Sequence, residues 1–156
     1  MKYKIFIGIL LIFLMISVVN AKDINDITAE DILGIDYFDK ATVVEIDGFN
    51  FTIPEGFGQI EGYDINSTED GVTTHSMFFS DENGEVIMLS TVTGDDISLN
   101  LDDYNIYKNT TKESIKGHEG LKFEDEGYKF FNYIDGDAVI ILQAPEYDYF
   151  ESIISD

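Results

Sequence analysis

The chain has 156 residues, with 31 acidic side chains against nine basic ones, a formal net charge of −22 and no cysteine. All nine basic residues are lysines, so the chain repels nucleic acid and anionic lipid and has no arginine for bidentate phosphate contacts; both polyanions drop out as partners of the folded part. Lack of cysteine excludes disulfides, thiolate-bound metals and a lipidated N-terminal cysteine, and leaves an ordinary apolar core, for which 44 % hydrophobic and 13 % aromatic content is ample.

Lys2 and Lys4 precede an uncharged apolar run over 5–19, and Val19-Asn20-Ala21 presents a cleavage site: the anatomy of a secretory signal. The run is shorter than the roughly 18–20 residues that span a bilayer, so 1–21 reads as a signal peptide. The alternative is an uncleaved anchor, the one segment that would then touch a membrane. Both forms place the rest of the chain outside, in the extracellular space or at the cell surface. Residues 22–40 read as a linker with a short helix, capped by Thr28 with Asp31 as partner and ended by Gly34. A single α+β domain is expected over 41–156.

From Ala41 the apolar period is two. The runs 42–46 and 49–53 flank Asp47-Gly48, a two-residue hairpin turn, with Phe49, Phe51 and Ile53 on one side and Asn50 and Thr52 on the other. Pro54 to Phe57 turns the chain. A weaker strand is expected over 60–65, a polar loop over 66–71 and a strand over 72–79. Asp81 to Gly84 turns into a strand over 85–93. Val86, Ile87, Met88 and Leu89 are apolar on both faces, which predicts a central position.

Gly94 to Thr111 has no clear period and reads as an irregular helix or ordered loop against the sheet. Strands follow over 112–115, 121–125, 128–134 and 138–143, the last again apolar on both faces. After Pro145, Tyr147, Phe150 and Ile154 recur at helical spacing and predict a docking helix. The fold class expected is α+β: a largely antiparallel sheet of about six to eight strands with a C-terminal helix on one face.

The residues that could carry chemistry are few. His118-Glu119 lacks the second histidine of a His-Glu-x-x-His zinc helix, since position 122 is Lys122, and Gly117 and Gly120 oppose a helix. It reads as a turn with a solvent-facing histidine. His75, on a strand, reads as a hydrogen-bonded structural histidine. No Gly-x-Ser-x-Gly elbow and no phosphate loop occurs, so no catalytic residue is assigned.

For calcium, the acidic pairs Asp95-Asp96 and Asp102-Asp103 are the candidates, although neither has the alternating spacing of an EF-hand loop. The turn Asp81-Glu82-Asn83-Gly84 comes nearer in composition and reads better as a hairpin connection. Tyr104, Tyr107, Tyr147 and Tyr149 are read as core or rim rather than as a glycan platform. The sequons Asn50-Phe-Thr, Asn66-Ser-Thr and Asn109-Thr-Thr are candidate glycosylation sites, with Asn66 and Asn109 placed in polar connections.

Short blocks that, together with the signal, are spread over most of the chain carry a resemblance: Phe49-Asn-Phe-Thr-Ile-Pro-Glu-Gly-Phe57, Ile115-Lys-Gly-His-Glu-Gly120, and Phe131-Asn-Tyr-Ile-Asp-Gly with Val139-Ile-Ile-Leu-Gln-Ala-Pro145. With the signal, they make the chain similar to small exported proteins of methanogenic archaea. Phe-x-Ile-Pro-x-Gly-Phe also resembles the PsbP-like α+β fold. The resemblance implies a location and a domain shape, with no activity and no catalytic residues.

The function expected is that of an exported, non-catalytic domain of the cell surface or envelope, a binding or adhesion accessory for a protein or glycan, with no cofactor. The alternatives are an extracellular cation-dependent hydrolase built on His75, His118 and carboxylates, and a calcium-stabilised module.

Overall fold

Two-residue turns set the register of most of the sheet. Asp47-Gly48, Asp70-Gly71, Lys116-Gly117 and Glu126-Gly127 all have positive φ at both positions, near +50° at the first and above +80° at the second. That is the type I′ turn, whose twist matches that of the strands it joins. Asp47 and Asp70 tolerate the left-handed region, whereas Lys116 and Glu126 occupy it under strain.

The computed structural model describes residues 34–107 and 109–155. The expected signal over 1–21 and the helix capped by Thr28 lie outside the described residues.

The strands are β1 (Thr42–Ile46), β2 (Phe49–Ile53), β3 (Gly58–Gln59), β4 (Ile65–Glu69), β5 (Val72–Ser80), β6 (Val86–Gly94), β7 (Thr111–Ile115), β8 (His118–Asp125), β9 (Tyr128–Asp135) and β10 (Ala138–Ala144). A 3-10 turn, Leu101–Tyr104, interrupts the β6–β7 connection, and one helix, α1 (Tyr149–Ile153), follows β10. All strand pairs are antiparallel. The large sheet runs β3-β5-β6-β10-β9-β8-β7, with β4 also pairing β5, and β1-β2 form a separate hairpin.

The antiparallel sheet and terminal helix are as expected, but the described residues are dominated by strands rather than balanced between helix and strand. The strands that carry the two fully apolar runs, β6 and β10, pair with each other at the centre, where both faces are covered, and the runs themselves meet at Leu89–Leu142.

Three local expectations are corrected. Residues 60–64 form no strand, because Glu61-Gly62 turns there, with Gly62 at φ +82°. The supposed polar loop over 66–71 is instead strand β4 and its turn. Its sequence, Ile-Asn-Ser-Thr-Glu, is almost wholly exposed at a sheet edge, so no apolar alternation marks it. The terminal helix begins only at Tyr149 and stops before Ile154, which forms a β-bridge with Phe51. The linker end also joins the body: Phe38 exchanges backbone bonds with Gly56 and Phe57 (3.0 and 2.9 Å).

The sheet has two differently closed faces. On the first, β1-β2 and α1 roof the sheet, and Ile46, Phe51, Ile53, Phe150 and Ile153 pack onto Leu89, Phe131, Ile140 and Leu142. On the second, Ile97, Leu101, Tyr104 and Tyr107 of the β6–β7 connection lie on Phe123, Phe130, Val139 and Ile141. That connection leaves β6 and enters β7, so it crosses over β10, β9 and β8.

Candidate functional site

The I′ turn of the β1-β2 hairpin delivers Asp47 to the first face, above β5 and β6. There His75 and Thr91 are direct cross-strand partners whose side chains share that face. The His75 Nδ1–H donates to Asp47 Oδ1 at 3.1 Å, and the Thr91 hydroxyl donates to Asp47 Oδ2 at 2.5 Å. The Thr91 bond first, aided by the bond and charge of His75, holds the Asp47 carboxyl below its usual 3.8 against the opposing cost of desolvation.

With Nδ1 committed to Asp47, the ring is held in one orientation, and no described protein group bonds Nε2. Side-chain exposure is 24 % for His75 and 38 % for Asp47, so the pair is open to solvent. Around it the roof ends. Asn66 is the cross-strand partner of His75, Thr68 that of Thr73, and Thr73 that of Thr93. Thr68 and Thr73 share a hydroxyl–hydroxyl bond of 2.9 Å, and all four of these polar side chains are exposed or half-buried. The result is a short uncharged strip of hydroxyls and an amide beside a fixed imidazole.

His118 takes no part in this group. It opens β8 and packs at 4.6 Å on the Tyr133 ring, half-buried rather than solvent-facing as expected. The turn is made by Lys116-Gly117, while Gly120 lies inside β8. A Cβ at Gly120 would run into the Phe131 ring, so this glycine is present for packing. Four strand spacings separate β5 from β8, which puts the two histidines on the order of 19 Å apart.

The candidate calcium ligands do not converge. Asp95 and Asp96 are exposed; Asp102 pairs with Lys112 at 2.5 Å, and Asp103 accepts from the Ser98 hydroxyl at 2.6 Å. Among the described residues no group of three or more histidines and carboxylates gathers. Asp81 closes its hairpin loop by accepting from the amides of Asn83 and Glu85 at 3.0 and 2.7 Å, so that acidic run is a turn organiser.

The sequon asparagines Asn50, Asn66 and Asn109 are all exposed; Asn66 lies in strand β4 and not in a connection. The tyrosines in question pack as expected. Tyr104 is buried, Tyr107 stacks on Phe123 at 4.4 Å, and Tyr147 lies beneath Lys122 (4.3 Å) and Lys129 (5.6 Å). These lysines are themselves paired with Glu113 and Glu124, so a charge ladder across β7, β8 and β9 pins the segment leading into α1.

Asp47 and Thr91 were not visible as site residues in the sequence, because they lie 28 residues before and 16 after the histidine they orient. The one available signal was Asp47-Gly48 itself, since the turn fixes where that carboxylate points. No family model, curated protein or solved structure matches the chain.

Proposed function

We propose that the chain is an exported, non-catalytic binding domain of the cell surface or envelope, and that it contacts a glycan through the strip beside His75. The reading is supported chiefly by one observation: Asp47 and Thr91 fix an open imidazole next to uncharged donors and acceptors at the unroofed end of a face. Asn66, Thr68, Thr73 and Thr93 match the hydroxyls of a saccharide by hydrogen bonding, and a neutral ligand avoids the repulsion that the acidic surface exerts on anions. Contact is by hydrogen bonds and not by ring stacking, since the tyrosines are engaged elsewhere.

An array of cell-envelope oligosaccharides tests this. Wild-type binding that falls at least tenfold in His75→Ala and in Thr73→Val, with unchanged circular dichroism, is the expected result. Absent binding, or equal binding by wild type and both variants, would overturn it.

The hydrolase alternative needs both histidines in one centre, and three strands, β6, β10 and β9, lie between them. Asp47–His75 does have the form of an orienter and base, but the Thr91 hydroxyl is bonded to Asp47 and not to the imidazole, so no nucleophile is aligned. For a calcium-stabilised module, Lys112 and Ser98 engage Asp102 and Asp103, and Asp95 and Asp96 form no group of three or more ligands among the described residues.

A further inference from the structure

The buried polar side chains of the sheet are unevenly divided. Cross-strand pairing puts Thr74, Ser76, Ser80, Ser90, Asn132 and Gln143 on the second face, and Thr91 alone on the first. Ser76 and Ser90 satisfy each other through a 2.6 Å bond. Asn132 differs. It is 1 % exposed, sits between Leu121 and Ile141 in the register, and neither its Oδ1 nor its Nδ2 has a protein partner. A buried carboxamide bonded to nothing is strongly disfavoured, and folded proteins resolve the conflict with an internal water where apolar neighbours offer no donor or acceptor.

The cover above this residue suits such a site. The β6–β7 crossover passes over β9, and its backbone bonds are local: Ile97 to Gly94, Asp103 to Asn100, Asn105 to Asp102. The Tyr104 hydroxyl donates to Ser98 O within the same segment. Among the described residues, the segment's backbone bonds reach the sheet only at Gly94, the last residue of β6, and the rest of its attachment is by side chains, so it can adjust around a solvent molecule without breaking a strand ladder.

We propose that Asn132 is the floor of an internal hydration site, with at least one ordered water held by its amide beneath the β6–β7 crossover. The site is independent of the His75 strip, on the opposite face.

A crystal structure at about 1.5 Å tests the assignment directly. Expected is solvent density about 2.7–3.2 Å from Oδ1 or Nδ2. Two outcomes would overturn the proposal: a dry site in which Asn132 bonds directly to protein, or density for an organic molecule, which would make it a ligand site instead. In Asn132→Leu the density should vanish and the melting temperature should stay level or rise by about 3 °C; a marked fall would mean that the amide has protein partners. Should that variant fail to fold, water-proton magnetic relaxation dispersion on the wild type gives the same answer, with a long-lived water expected and its absence contradicting the site.

Discussion

The two faces of the large sheet are closed by opposite means. The first is roofed by regular elements: a hairpin that buries Phe51 and Ile53, a helix that buries Phe150 and Ile153, and a bridge from Ile154 back to Phe51. The second is covered by Ile35, Ile60, Tyr63 and Ile65 and by a crossover whose backbone bonds, among the described residues, are local and which passes over Gln143 of β10 and Asn132 of β9. An apolar roof whose strands are laddered to each other, and which is tied to the sheet by the Asp47 bonds and by the lysines over Tyr147, resists opening. A self-contained cover over a partly polar floor opens more cheaply, because few sheet-to-cover bonds must break.

Deleting the roof's anchor should have the largest effect. Phe51→Ala leaves a cavity where hairpin, sheet and C-terminal bridge meet, and chemical denaturation should record a loss of about 3–5 kcal/mol. The corresponding cut in the cover, Leu101→Ala, removes a half-buried side chain and should cost about 1 kcal/mol. Equal losses at the two positions would erase the contrast between the faces.

Asp47→Asn sharpens the comparison through pH. The folded carboxyl titrates below its usual 3.8, so its contribution is complete above about pH 4 and is lost as pH falls through the lower folded value. At pH 7 the variant should be less stable by about 1 kcal/mol, the difference should shrink below about pH 4, and both should be seen in urea melts. A pH-independent difference would mean that packing, not the Thr91 and His75 bonds, holds the turn. The smallest effect is a gain: Glu126→Asn eases a residue at φ +49° and should raise stability by about 0.5 kcal/mol without altering either face.

Much of the sheet was legible because turn chemistry and two-sided hydrophobicity are local signals. Asp47-Gly48 announced the hairpin, and the apolar runs of β6 and β10 announced the centre. β4 was missed because an exposed edge strand needs no apolar alternation, although Asp70-Gly71 carried the same turn signal as Asp47-Gly48. The helix was drawn too long because Ile154 keeps the helical spacing while its backbone bridges to β2. For the site, the sequence supplied His75 but not its partners, since those contacts arise only when the hairpin folds over the sheet. Asn132 was hidden inside Phe-Phe-Asn-Tyr, where nothing local reports that an amide is buried without a partner.

Native-state hydrogen exchange tests the division between the faces most directly. The amides of Ile97, Asp103 and Asn105 should exchange by local opening, at least roughly a hundredfold faster than those of β2 and β10, which should exchange only with global unfolding. Equal protection of the crossover and the β1-β2 hairpin would contradict the account.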